Sequence, residues 1–245
     1  ILAPMTYPRD VQVAALRDKK FLGSRRNLVV SAPTNAGKSL VGFLGLLGAV
    51  KRGRRAVLLE PMRAIAQEKY EQLRPLSDQL AAALDCSIAV KITTGDYRLD
   101  GEQFSDPPPD AGELVIATPE RFEAILRSPQ NLAWINSIGA VCVDEAHMVS
   151  ALHRGPVVEH LITTLLTLPA PPRMILLSAT LGSIDRGLEW LAPCDAIQQS
   201  ERTPQLKKRI VAVDEGEPPD VVIKELVDAA VIVPENSVLI FVYKT

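Results

Sequence analysis

The sequence predicts an α/β fold with a central, mostly parallel sheet flanked by helices, and three observations carry that prediction. Short apolar, β-branched runs recur at residues 28–31, 56–60, 88–92, 114–117, 140–143 and 174–178, bounded by Gly, Pro or charge and separated by helical stretches. The runs are continuous instead of alternating, as parallel strands buried on both faces require. The first of them leads through a tight loop into a helix that opens on Lys38, the strand–turn–helix unit from which parallel sheets are built. Ligands are then expected at the carboxyl ends of the strands.

A first helix is expected over residues 6–19, beginning near the Tyr7-Pro8 turn and carrying Gln12 on its first turns. Residues 27–40, NLVVSAPTNAGKSL, follow as a phosphate-binding element. In such a loop, here Thr34, Asn35, Ala36 and Gly37, backbone N–H groups and the helix N-terminus converge on one spot and stabilise a polyphosphate. Lys38 would reach the β- and γ-phosphates of a nucleotide such as ATP, and Ser39 would offer its hydroxyl to Mg²⁺. Ala32 stands where the usual pattern has a glycine. Gly37 keeps the position nearest the phosphates, where a side chain would collide, and Asn35 tolerates positive φ.

The following helix is apolar on nearly all sides, with Gly42, Gly45 and Gly48 letting it lie close to the sheet. One helix is expected over residues 63–80, an exposed proline-rich loop over 100–112, and helices over 119–127 and 156–168 before the proline cluster at 169–172. His153 and His160 read as ordinary polar helix positions without metal-ligand spacing. Residues 214–220, DEGEPPD, read as an acidic turn or linker, followed by a helix over 221–231 and a strand over 237–243.

Composition narrows the class less than the motifs do. The 245 residues suffice for one large domain, and 27 basic against 29 acidic residues leave a formal charge of −2, which neither requires nor excludes nucleic acid. Cys86, Cys142 and Cys194 are dispersed, as expected of reduced core thiols in a cytoplasmic or nuclear protein, and Cys142 lacks a neighbour that would make it a nucleophile. No apolar run reaches the ~18 residues of a membrane span, so no membrane partner is expected. The opening on Ile1 and the close in mid-strand suggest a piece of a longer protein.

Two further strand ends carry chemistry. Residues 141–147, VCVDEAH, place Asp144, Glu145 and His147 after a buried strand. Beside a phosphate loop, Asp144 can hold the metal through its water shell and Glu145 can orient and deprotonate the water attacking the γ-phosphorus. Ser178-Ala179-Thr180 ends another apolar run.

The series GKS, DEAH and SAT, each at a strand end, resembles the superfamily two helicases and translocases over essentially the whole chain. Within them it is most similar to the Ski-type branch, which includes archaeal DNA-repair and eukaryotic RNA-exosome helicases. That closer likeness rests on residues 60–70, EPMRAIAQEKY, on Arg154-Gly155-Pro156 to Glu159, and on Glu201-Arg202-Thr203-Pro204. The resemblance implies a RecA-like P-loop NTPase domain over residues 1–213, a linker and helix over 214–236, and the first strand of a second RecA-like domain of the same parent chain over 237–245. It implies that Gln12 reads the adenine edge and that His147, Ser178 and Thr180 couple the γ-phosphate to the nucleic-acid face. It further implies a nucleic-acid path along Pro61, Arg63, Thr94, Gly95, Asp96, Thr118, Pro119 and Arg121, although Thr94 and Thr118 are equally readable as helix caps.

The expected activity is ATP-dependent 3′ to 5′ translocation and strand separation on single-stranded or partly duplex nucleic acid, DNA slightly before RNA. Because these helicases hydrolyse ATP between two RecA-like domains, the chain alone is expected to bind ATP·Mg²⁺ weakly and turn it over little. A double-strand translocase shares these motifs. A nucleotide-regulated scaffold without motor activity would not need the intact Lys38, Asp144 and Glu145, and a P-loop kinase would leave SAT and Gln12 without a role.

Overall fold

The computed structural model describes residues 7–17, 21–95, 111–179 and 188–200, with Lys224 alone beyond them. The apolar runs become strands β1 (Asn27–Ser31), β2 (Arg55–Leu59), β3 (Ser87–Thr93), β4 (Ala111–Ala117), β5 (Ile138–Val143) and β6 (Arg173–Ser178), joined by β7 (Cys194–Gln198). They form one seven-stranded sheet in the order β3-β4-β2-β5-β6-β1-β7, parallel at every pairing. The helices are α1 (Asp10–Arg17), α2 (Lys38–Val50), α3 (Arg63–Leu73), α4 (Ser77–Leu84), α5 (Pro119–Leu126), α6 (Leu132–Asn136) and α7 (Gly155–Leu166).

Strand residues alternate between two cores, because successive side chains point to opposite faces. Leu28, Val30, Ala56, Leu58, Cys142 and Ile175 join the core that α1 and α2 cover. Val29, Val57, Leu59, Val143 and Leu176 join the core beneath α5, α6 and α7. Helix α2 packs against the middle of the sheet only because Gly42 and Gly45 lack side chains. A Cβ at Gly42 would stand 2.7 Å from Cys142 Sγ, and one at Gly45 2.5 Å from Ile175 Cδ1.

Several expectations are corrected. The helix expected over residues 63–80 is two, α3 and α4, separated by a 3₁₀ turn at Arg74–Leu76, since Pro75 supplies no N–H to continue the ladder. The first helix starts later than expected, at Asp10, and residues 111–112 belong to β4, not to a loop. His153 lies in the turn before α7. Strands β2 and β4 extend outward through charge: Arg55 Nε donates to Glu113 Oε2 at 2.9 Å, and both side chains are buried. Lys91 Nζ stands 3.4 Å from the other Glu113 oxygen, and the Arg55 guanidinium lies 5.5 Å from the Trp134 ring centroid. Strand β7 was not expected. The chain divides into two compact units, residues 1–203 and 204–245. The expected linker, the helix over 221–231 apart from Lys224, and the strand over 237–243 lie outside the described residues.

Candidate nucleotide and nucleic-acid sites

The loop after β1 is fixed at both ends. Ala32 N–H donates to the Ser178 carbonyl at 3.1 Å, tying the loop's start to the end of β6. At its far end Gly37 adopts φ 89°, and a Cβ there would run into the amide of Gln12. Asn35 has φ 67°, the left-handed backbone its residue type tolerates. Gln12 is buried; its Oε1 accepts the N–H of Arg9 at 3.0 Å and its Nε2 donates to the Gly37 carbonyl at 3.3 Å. Helix α2 then opens on Lys38 with no side chain capping its first turn, so its amides face the loop.

Lys38 is only 7 % exposed, and its Nζ donates to the carbonyls of Ala32 (2.7 Å) and Pro33 (3.1 Å). Burial pulls its pKa down, while Glu145 and Asp144 push it back up. At the end of β5, Asp144 Oδ1 accepts the Glu145 N–H at 2.8 Å, and Oδ2 accepts the Ser39 hydroxyl at 3.4 Å. Glu145 takes φ 50°, and its Oε2 stands 3.2 Å from His147 Nδ1. These groups share one open cavity of about 330 Å³, lined by Gln12, Thr34, Asn35, Gly37, Lys38, Ser39, Asp144 and Glu145 together with Arg9 and Leu40. Ala36 instead lines an adjoining hollow of about 290 Å³ with Pro33 and Gln199.

A third carboxyl sits beside this pair. Glu60 follows β2 as Asp144 follows β5, and the register pairs Leu59 with Val143, so the two residues occupy adjacent strand ends. Glu60 is 1 % exposed, and its Oε1 has no hydrogen-bond partner. Burial, reinforced by Asp144 and against the pull of Lys69, raises its pKa to about 8. Cys142, wholly buried under α2, has its thiol pushed up by the same desolvation and is unreactive.

A second cavity, of about 450 Å³, opens at the carboxyl ends of β2, β3 and β4, lined by Pro61, Arg63, Gly95, Thr118, Glu120, Arg121, Ala124 and Arg154. The Arg63 guanidinium lies against Gly95, where a Cβ would strike it. Arg121 Nε donates to Thr93 Oγ1 at 3.2 Å, and Arg154 Nε donates to Glu120 Oε1 at 2.7 Å. Thr118 holds the N-cap position of α5, yet its hydroxyl makes no capping bond. Thr94 and Pro119 are buried and do not line the cavity, and Asp96 lies outside the described residues.

The DEAD/DEAH box helicase family matches residues 9–186. The chain belongs to that family. Curated relatives include the ATP-dependent DNA helicases Hel308 of Aeropyrum pernix, 34% identical over 67% of this chain, and of Methanocella arvoryzae, 29% identical over 84% of it. The chain spans 20% and 26% of those two proteins' lengths. The crystal structure of DUF1998 helicase MrfA superposes with a TM-score of 0.60 at 20% identity, over 92% of this chain and 35% of that one, and so shares its RecA-like fold.

In this helicase domain the phosphate loop meets Asp144 and Glu145 in one cavity that His147 does not line, and five of the eight expected nucleic-acid residues meet in the other. Ser178 is buried at the end of β6, where its carbonyl holds the loop, and Thr180 lies outside the described residues. Arg9, Glu60 and Arg154 were not foreseen as site residues. Arg154 and Glu60 had a signal in the Arg-Gly-Pro and in residues 60–70 that support the resemblance, whereas nothing near Arg9 in sequence marks it. Among the described residues no group of three or more His, Cys, Asp or Glu side chains could hold a metal, and no helix is long and apolar enough to cross a membrane.

Proposed function

We propose that this helicase domain is the first of two motor domains in an ATP-dependent DNA helicase that moves 3′ to 5′ along a single strand and separates duplex. The observation that carries the reading is the placement of two cavities on one edge of one sheet. One holds Lys38, Ser39, Asp144 and Glu145, and the other holds Arg63, Arg121 and Arg154. DNA as the track follows the relatives, which are named DNA helicases.

Lys38 would exchange its bonds to the Ala32 and Pro33 carbonyls for phosphate oxygens, with the loop and α2 amides as further donors. The donors beside it suit Mg²⁺: a hydroxyl and a carboxylate 3.4 Å apart offer hard oxygens, and substrate phosphates complete such sites. When bound, the ion neutralises charge on the phosphates. Glu145 orients the attacking water and takes its proton. His147 Nδ1 stands 3.2 Å from Glu145 Oε2, and Arg9 and Gln12 flank the loop where the base would lie. In the second cavity, guanidinium groups and the Thr118 hydroxyl grip backbone phosphates without reading sequence. Coupling runs along residues 60–63, which link the Glu60 position beside Asp144 to Arg63.

Arginines contributed by a second domain add ~10³–10⁵ in rate in well-studied phosphoryl transfers, so this chain alone is expected to turn over little. Unwinding of duplexes with a 3′ or a 5′ single-stranded tail by the parent protein tests the polarity. The reading expects activity on the 3′-tailed duplex only; preference for the 5′ tail would overturn it.

A further inference from the structure

One side chain touches both the turn after Glu145 and the wall of the nucleic-acid cavity. Arg154 holds the N-cap position of α7, and Glu120 stands in the first turn of α5. Arg154 Nε donates to Glu120 Oε1 at 2.7 Å, and its Nη2 lies 2.5 Å from the same oxygen. The remaining nitrogen, Nη1, donates to Met148 Sδ at 3.9 Å. Arginine and glutamate both line the cavity that Arg63, Thr118 and Arg121 share.

Met148 belongs to the 3₁₀ turn Ala146–Ser150, whose first residue directly follows Glu145. Backbone bonds join that turn to the start of α7. Met148 N–H donates to the Glu145 carbonyl at 3.0 Å, Ala151 N–H to the Met148 carbonyl at 2.9 Å, and Gly155 N–H to the Ala151 carbonyl at 2.8 Å. A Cβ at Gly155 would collide with the Val149 carbonyl, so the backbone closes there without room for a side chain. Both helices are anchored in the core, α7 by Val158, Leu161, Ile162 and Leu165, and α5 by Phe122 and Ile125.

The pair with Glu120 is loosely held by comparison. The Arg154 and Glu120 side chains are 37% and 48% exposed, and exposed ion pairs contribute little to stability. Two of the arginine's nitrogens share one carboxylate oxygen, whereas a phosphate offers each its own. We propose that Arg154 is a positioning residue for ATP hydrolysis: a nucleic-acid phosphate takes its guanidinium from Glu120, and the Met148 contact carries that exchange to the turn that sets Glu145. Glu120 is then the competitor that holds the link at rest until a strand arrives. The proposal rests on the reading of this cavity as a nucleic-acid path, and adds a second link to the one through residues 60–63.

ATP hydrolysis by the parent protein, with and without single-stranded DNA, tests it. Arg154→Ala is expected to lower the ratio of stimulated to unstimulated rate at saturating DNA by about fivefold or more, the lower end of couplings between two sites. A residue that only gripped phosphate would raise the DNA concentration required and leave that ratio unchanged. One that only supported the fold would lower both rates together. Either result would overturn the proposal. Fluorescence anisotropy of single-stranded DNA with the 245-residue chain tests the competition. Glu120→Gln is expected to tighten binding by about two- to fivefold, the worth of an exposed pair, and to lose most of that gain when Arg154 is already replaced by Ala. Equal tightening in both backgrounds makes Glu120 a general repulsive charge and overturns the exchange. The pair is exposed, so circular dichroism should show the variants folded. Absence of DNA stimulation in the unchanged parent would overturn the two-cavity reading and this proposal with it, whereas stimulation that survives Arg154→Ala intact would overturn this proposal alone.

Discussion

Replacing Glu60 by Gln should make the protein more stable at neutral pH and barely change it at pH 5. The carboxyl is buried, lacks a hydrogen-bond partner at Oε1, and has its pKa raised from 4.5 to about 8. Its neutral form therefore belongs to the folded state, and stability from this group is fully present below the unfolded pKa and lost as pH rises toward the folded one. Between pH 4.5 and about 8 the unfolded chain releases this proton while the folded chain keeps it. The whole shift is equivalent to ~5 kcal/mol, and local relaxation and water entry bring the expected loss to about 2–3 kcal/mol. The nearly isosteric, uncharged Gln has no such loss. Urea unfolding at half-unit steps from pH 5 to pH 8.5, without nucleotide or divalent metal, should show the gap between variant and parent opening with pH and levelling off near the top. Parallel stability profiles for the two proteins would refute the reasoning.

Three other perturbations follow from named contacts. Lys38→Ala should weaken nucleotide binding by about 10- to 100-fold, the worth of one or two bonds to a charged donor, as fluorescent-nucleotide titration would show. Gly42→Ala places a methyl 2.7 Å from Cys142 Sγ and Leu177 Cδ1; pushing α2 off the sheet should cost ~1–3 kcal/mol, seen as a lowered Tm. Arg121→Ala should weaken single-stranded DNA binding to a similar degree on every sequence and reduce the salt slope by about 1, whereas a sequence-selective loss would contradict a phosphate contact.

Local chemistry made the phosphate loop legible: Asn35 and Gly37 have the positive φ their residue types suggested, and Lys38 opens α2 as the motif required. Five strands were legible because they are buried on both faces and read as unbroken apolar runs, and the edge strand β3 was legible from Ile88, Val90 and Ile92 at every second position. Strand β7 was not, because it is an edge strand paired only to β1, half-exposed and polar at Asp195 and Gln198. The strand starts at Arg55 and before Glu113 were hidden for a different reason. A charge normally ends a buried run, and here two charges satisfy each other across neighbouring strands. Glu60 shows the same limit at the site. Residues 60–70 carry part of the resemblance, but only the pairing of β2 with β5 sets Glu60 beside Asp144. Likewise the helix break at Pro75 was visible in the residue, but the amphipathic pattern on both sides masked it.

The central claim, that the cavity between β1 and β5 hydrolyses ATP when the second cavity is occupied, is tested most directly by steady-state ATP hydrolysis in the parent protein. Single-stranded DNA, single-stranded RNA or neither would be supplied, with Glu145→Gln measured in parallel. The account predicts a rate stimulated by DNA and reduced by ~10²–10⁴ in the variant, with ATP still bound. ATP binding without hydrolysis under any of these conditions, or a stimulated rate that survives Glu145→Gln, would contradict it.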